Sequence, residues 1–169
     1  MQIYHGTSAH NLDEIVEYGA LLCPLDLGVQ RHLKIQQKGY FRTQLSKEEL
    51  EKLLWEDALK RKQEDPSYEY NRQAYIYVAP HPHPGFIRGT TLSVILGFDV
   101  PSSMIINGLM IYRSLPLGFL NTALYLENTN LVLVKEALRN YDVPYAFYDY
   151  NTGKIYPGER SLACITSKI

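Results

Sequence analysis

Tyr4-His5-Gly6-Thr7-Ser8 stands directly ahead of an amphipathic segment that opens at Asn11 and stops at Gly19. Gln2-Ile3-Tyr4 reads as a short strand. Asn11 has the character of a helix N-cap, with Glu14 three residues on as its capping-box partner. Leu12, Ile15 and Val16 form an apolar stripe at helical spacing, and Gly19 suits the left-handed position that ends a helix. The stretch therefore places a histidine and a glycine at the end of an edge-type strand, then two hydroxyls and a helix start. Glycine lets a ligand approach the backbone closely, and an imidazole offers a hydrogen bond of either polarity near neutral pH. Two readings follow: a small-molecule site at a strand–turn–helix junction, or a capped helix after a short strand and nothing more.

Outward from that stretch, the chain is of single-domain length at 169 residues, with core enough to fold alone. Its formal charge of −1 provides no global field towards nucleic acid or membrane, although a local basic patch remains compatible with it. Fourteen tyrosines against one tryptophan suit sheets with half-wet faces, or a stacking site. Cys23 and Cys164 are the only cysteines and lack Cys-x-x-Cys spacing, which argues against structural zinc. No basic region followed by an apolar run opens the chain, and no stretch approaches 18 apolar residues. The expectation is a reduced, cytoplasmic protein without a membrane partner.

Residues 20–38 contain Pro24, Gly28 and mixed polarity, and read as a loop; residues 39–43 read as a short strand. Ser46 with Glu49 forms a capping box for the clearest helix, whose face Leu50, Leu53, Leu54 and Ala58 line and which Pro66 bounds. Residues 68–72 read as loop. Residues 74–78 alternate as a strand, and residues 91–100 form a longer, central one. Asn107-Gly108 signals a hairpin. Residues 123–126 suggest a strand. Leu131, Val134 and Leu138 suggest a third helix, although Val132 and Val134 also permit a strand. Residues 145–150 and 153–156 suggest a hairpin, and residues 163–166 a last strand. More strand than helix, without strict alternation, predicts an α+β fold.

Tyr4-His5-Gly6-Thr7-Ser8, the helix with Asn11 and Ile15, and the glycine at its end resemble the opening of the ADP-ribosyltransferase fold, in the branch of the poly-ADP-ribose polymerases and diphtheria toxin. Lys38-Gly39-Tyr40-Phe41 resembles that family's Lys-Gly-Ile-Tyr-Phe strand without the isoleucine, and Ser46 with its helix follows as in the family. The resemblance covers roughly the first hundred residues. It implies a split antiparallel β-sheet core with a few flanking helices over residues 1–169, and NAD as substrate. His5 would bind the ribose, the Gly6 backbone would meet the nicotinamide amide, and Tyr40 would stack on the nicotinamide ring. The implied cofactor-binding set is His5, Gly6, Thr7, Tyr40, Ser46 and Arg31; the implied catalytic set is His5, Tyr40 and a late glutamate. Cleavage of the nicotinamide–ribose bond develops positive charge that a carboxylate stabilises. Glu127, after a strand-like run, is the first candidate, with Glu136 and Glu159 as alternatives and a surface glutamate as the ordinary reading of each.

The implied activity is transfer of ADP-ribose to a protein or nucleic-acid acceptor. The tRNA 2′-phosphotransferases share the opening and supply an alternative, as does a non-catalytic nucleotide- or protein-binding module. Arg31 suits a pyrophosphate, since guanidinium binds phosphate in bidentate fashion; a solvated loop is its plainer reading. His81-Pro82-His83-Pro84 offers two imidazoles in an extended run but no third ligand nearby, which reads as a rigid surface turn. No Gly-x-Ser-x-Gly elbow is present, which disfavours a serine hydrolase.

Overall fold

The computed structural model describes residues 1–39, 43–83 and 93–159. β1 (Gln2–Ser8) runs into a single 3-10 turn, Ala9–Asn11, and then α1 (Leu12–Tyr18). α1 begins directly after Asn11, as the sequence predicts, but Asn11 makes no side-chain cap; the capping side chain is Ser8, which opens the 3-10 turn. Ser8 Oγ accepts the His10 N–H at 3.3 Å, while Asn11 is already helical and its amide donates to Thr7 Oγ1 at 3.3 Å. Glu14 is consequently not a capping partner. Gly19 closes α1 at φ 67°, as its position in the sequence suggests.

β2 (Ala20–Leu22) leads into α2 (Pro24–Gln37), so residues 20–38 are a strand and a helix where a loop is expected. Pro24 lies in the first turn, where its missing N–H costs nothing. The Cys23 thiol accepts the Asp26 N–H at 3.5 Å and caps the helix. Gly28 does not break the helix. A Cβ there would lie 3.1 Å from Leu54 Cδ1, so glycine allows α2 to seat closely against α3 (Lys47–Glu64). The α3 capping box forms as read: Ser46 Oγ accepts from Glu49 N at 3.1 Å and Glu49 Oε1 from Ser46 N at 3.4 Å. Leu50 and Ala58 are buried, but Leu53 is 48% exposed and does not share their face fully.

A 3-10 turn over Tyr70–Ala74 precedes β3 (Tyr75–Tyr77). β4 (Ser93–Asp99), β5 (Ile105–Ile106), β6 (Met110–Tyr112), β7 (Ser114–Pro116), β8 (Leu120–Tyr125), α4 (Asn128–Ala137), β9 (Tyr145–Tyr148) and β10 (Ile155–Pro157) follow. Asn107 and Gly108 both adopt positive φ, 47° and 84°, in the β5–β6 turn. Leu131, Val134, Ala137 and Leu138 are buried at helical spacing, so the 128–137 segment is helix rather than strand. The expected strand at 163–166 and most of that at 39–43 lie outside the described residues; Gly39 itself occupies a turn after α2.

The architecture is α+β. One sheet runs β1-β4-β8-β9-β10, and two smaller ones run β2-β7 and β3-β6-β5. The pairings are antiparallel except β8 with β9, which are parallel because α4 carries the chain back across the sheet. That pair departs from the antiparallel core expected. β4 is central and buried from Ser93 to Phe98. One face packs Ile3, Leu96 and Phe98 against Leu12, Val134 and Leu138; the other packs Ile95 against Leu124, Ala146 and Tyr148. Among the described residues no helix is long and apolar enough to cross a membrane.

Candidate functional site

β1 is an edge strand, and its outer side is where the two larger sheets meet. Tyr4 exchanges both backbone hydrogen bonds with Ala79, just beyond β3, at 2.8 and 2.9 Å. In an antiparallel strand the backbone groups alternate between neighbours. The N–H and C=O of Gly6, two residues on, therefore point to that same outer side, where no described backbone pairs with them. Between these two residues, His5 Nδ1 lies 2.9 Å from the Tyr77 carbonyl. A carbonyl only accepts, so Nδ1 carries the proton and Nε2 of the neutral ring is an acceptor. Burial lowers the imidazole pKa below its ordinary value, and the bond to Tyr77 opposes this only in part. The ring is thus held neutral and oriented.

Among the described residues, His5 borders three hollows. The largest, about 440 Å³, lies between β2, α2 and β3, with Arg31, Arg72, Tyr75 and Tyr77 in its walls. A second of about 310 Å³ follows the β1 edge past Tyr4, Gly6, Tyr77, His83 and Leu109. The third, about 170 Å³, reaches inward past Thr7, Asn11, Glu14 and Tyr18. Arg72 stacks over the Tyr77 ring at 4.4 Å and pairs with Glu69. Arg31 is forked onto Glu14, with contacts of 2.8 and 3.2 Å. Among the described residues Glu14 is the only carboxylate in these walls, and Arg31 neutralises it. The three hollows bring together the imidazoles of His5 and His83, the Arg31 and Arg72 guanidiniums, each paired with a glutamate, and the phenols of Tyr4, Tyr18, Tyr75 and Tyr77: flat faces and hydrogen-bonding groups suited to a planar, polar ligand.

No family model matches the chain, and no curated protein is significantly similar to it. The site therefore rests on its own geometry. Of the residues singled out from sequence, His5, Gly6, Thr7 and Arg31 come together at the cleft. Ser46 does not: its hydroxyl is engaged as the α3 cap. Tyr40 lies outside the described residues.

The glutamates are elsewhere. Ala123 is the β8 residue in line with Leu96 and His5, and Glu127 is four residues further along, two strands away. Strand geometry puts its backbone about 16 Å from that of His5. Glu127 stands at the N-cap of α4, Glu136 is exposed on α4, and Glu159 pairs with Lys135.

Arg72 and Tyr77 are the site residues that sequence reading misses as such. The alternation Tyr75-Ile76-Tyr77 already puts both phenols on one face of a strand, and this was the available signal. His83 borders the cleft, but among the described residues no three His, Cys, Asp or Glu side chains gather to hold a metal. Cys23 is buried and its thiol pKa is pushed up to about 11, chiefly by desolvation, so it has no place as a nucleophile.

Proposed function

We propose that the His5 cleft binds NAD and that the chain transfers ADP-ribose from it to a macromolecular acceptor, releasing nicotinamide. The observation that carries this reading is the convergence of His5, the outward-facing backbone of Gly6, the Tyr77 ring and the Arg31 and Arg72 guanidiniums on one sheet edge. Each group meets one part of a dinucleotide. The Gly6 N–H and C=O match the donor–acceptor pair of a carboxamide, and the Tyr77 ring gives a flat heterocycle a face. His5 Nε2 accepts from a ribose hydroxyl. A pyrophosphate would take the guanidiniums by exchanging with Glu14 on Arg31 and Glu69 on Arg72, both of which lie at the surface. In this reading Tyr77 takes the stacking role that the family resemblance gives to Tyr40. The seam between two sheets is consistent with the split-sheet core of the ADP-ribosyltransferase fold.

One observation favours a second reading, a nucleotide-binding module without efficient transfer. Breaking the nicotinamide–ribose bond develops positive charge at the ribose, and among the described residues the only carboxylate in the cleft walls is Glu14, which is already paired with Arg31.

Thermal melting tests binding. A dissociation constant of about 0.1 mM would give 1 mM NAD about 1.4 kcal/mol of stabilisation, or about 3–5 °C in a chain of this size. His5→Ala and Tyr77→Ala should each abolish the shift; no shift in the wild type at 5 mM NAD refutes the reading. Nicotinamide release from NAD then separates the two versions, and Glu127→Gln should leave any release unchanged within about twofold. Turnover of a 2′-phosphorylated RNA together with NAD would replace ADP-ribose transfer by 2′-phosphotransfer.

A further inference from the structure

Among the described residues Glu14 is the one carboxylate of the cleft walls, and it borders the same inward hollow as His5. That hollow, about 170 Å³, has room for a single sugar or heterocycle and not for a dinucleotide. Both oxygens of Glu14 are taken by Arg31: Nη2 donates to Oε1 at 2.8 Å and Nε to Oε2 at 3.2 Å. Held in this fork, the carboxylate has its charge balanced and its acceptor positions filled.

Three observations mark the fork as one that opens. Arg31 borders the hollow of about 440 Å³ as well as the inward one, so its guanidinium has a second place to go. The partners are unequally exposed, the Arg31 side chain at 54% and Glu14 at 28%. The arginine is therefore the outer, freer member, and a pair this exposed is weak. The third observation is a second tie between the same two helices. Lys34, one turn along α2, pairs with Glu17, one turn along α1, and lies 4.8 Å from the Tyr18 ring. Arg31 can leave while that tie still joins α1 to α2, and Lys34, engaged there, does not take its place.

We infer that the Arg31–Glu14 fork is a latch that the substrate itself opens: the pyrophosphate draws Arg31 into the larger hollow and leaves Glu14 facing the ribose beside His5. This deepens the transfer reading and rests on it. The C1′–N bond then breaks with its electron pair passing to the nicotinamide nitrogen, and nicotinamide leaves neutral. The freed carboxylate stabilises the cationic ribose. A lone pair of the acceptor forms the new bond to C1′, and the acceptor's proton passes to Glu14 and on to water. Without a phosphate the fork stays shut. Binding at one end of the substrate thus prepares the chemistry at the other.

The exchange is measured first without NAD, by calorimetric titration of the full chain with inorganic pyrophosphate. Glu14→Gln should bind pyrophosphate about two- to fivefold more tightly than the wild type, because no carboxylate competes for Arg31, and Arg31→Gln should bind it more weakly than either. Nicotinamide release is then followed from NAD and from nicotinamide riboside, which has no phosphate. Glu14→Gln should keep the NAD-induced thermal shift and lose about 100-fold or more in release. Arg31→Gln should release less from NAD, yet cleave the riboside about two- to fivefold faster than the wild type, since its Glu14 is free from the outset. Equal pyrophosphate affinity in wild type and Glu14→Gln, unchanged release in Glu14→Gln, or riboside cleavage no faster in Arg31→Gln each overturns the latch. So does an NAD-induced shift in a wild type that releases no nicotinamide. Absence of that shift sinks the NAD reading of the cleft instead, and the pyrophosphate titration still decides the exchange by itself.

Discussion

Gly97 is a point of close approach in the large sheet, and replacing it with alanine tests how the cleft edge is held. It sits on β4 opposite Tyr4 of β1 and Thr122 of β8. A Cβ there would lie 2.3 Å from Thr122 Cγ2, 2.9 Å from Gln2 Nε2 and 3.1 Å from Tyr4 Cε1. Carbon pairs prefer about 3.5–4.0 Å, so the first contact is more than 1 Å too close. Gln2 cannot swing away without loss, because it exchanges amide hydrogen bonds with Asn121 at 2.7 and 3.0 Å. Tyr4 is pinned by its two bonds to Ala79.

Overpacking of this kind costs about 1–3 kcal/mol, and alanine recovers about 0.5–1 kcal/mol of backbone entropy over glycine. The net expectation for Gly97→Ala is a loss of about 1–2 kcal/mol, or about 3–7 °C in Tm for a chain of this length. Thr122→Ser deletes the clashing methyl and keeps the hydroxyl, so the double variant should recover about 1 kcal/mol relative to the sum of the single effects. Urea melts followed by circular dichroism measure all four proteins. A Gly97→Ala variant as stable as the wild type, or a strictly additive cycle, would refute the reasoning.

Two other perturbations follow from the same structure. The folded-state pKa of His5 is lowered, so the unfolded chain binds its proton first; stability that is complete above about pH 6.5 falls as the pH drops below that value. His5→Asn, whose amide can still donate to the Tyr77 carbonyl, should show a smaller fall in urea midpoint between pH 7.5 and 5.5; an identical fall would remove His5 from that role. Arg113 joins Asp26 of α2 and Glu51 of α3, each at 2.9 Å and all three partly buried. Arg113→Met should cost about 2–3 kcal/mol, less than for a fully buried pair, and a calorimetric Tm within 2 °C of wild type would contradict it.

Elements punctuated by local chemistry were legible in the sequence. Ser46 and Glu49 specify their helix start through neighbours three residues apart, Gly19 its helix end, and Asn107-Gly108 their turn. α2 was not, because Pro24 and Gly28 carry two meanings. Proline suits a first helical turn as well as a loop, and glycine suits a close helix crossing as well as a bend; only Leu54, 26 residues on, decides the second. The cap at Ser8 was missed because Thr7 claims the Asn11 amide, a contact between residues that each look like caps. At the site, His5 and Gly6 were legible from their place on an edge strand. Arg72 and Tyr77 were not, since their meeting with His5 depends on Ala79 docking against Tyr4, a pairing 75 positions apart. The distance of Glu127 from His5 likewise follows from strand register, which no local pattern encodes.

The partnership of β1 with β4 has a consequence for the order of assembly. Ile3 lies against Phe98 and Thr7 against Val94, so β1 finds its neighbour only after the long stretch between the two strands has also been made. The α2–α3 helical hairpin closes over a short span and needs no such wait. Until β4 is available β1 has no partner on that side, and an unpaired, partly apolar strand is the kind of segment most open to mispairing with other chains.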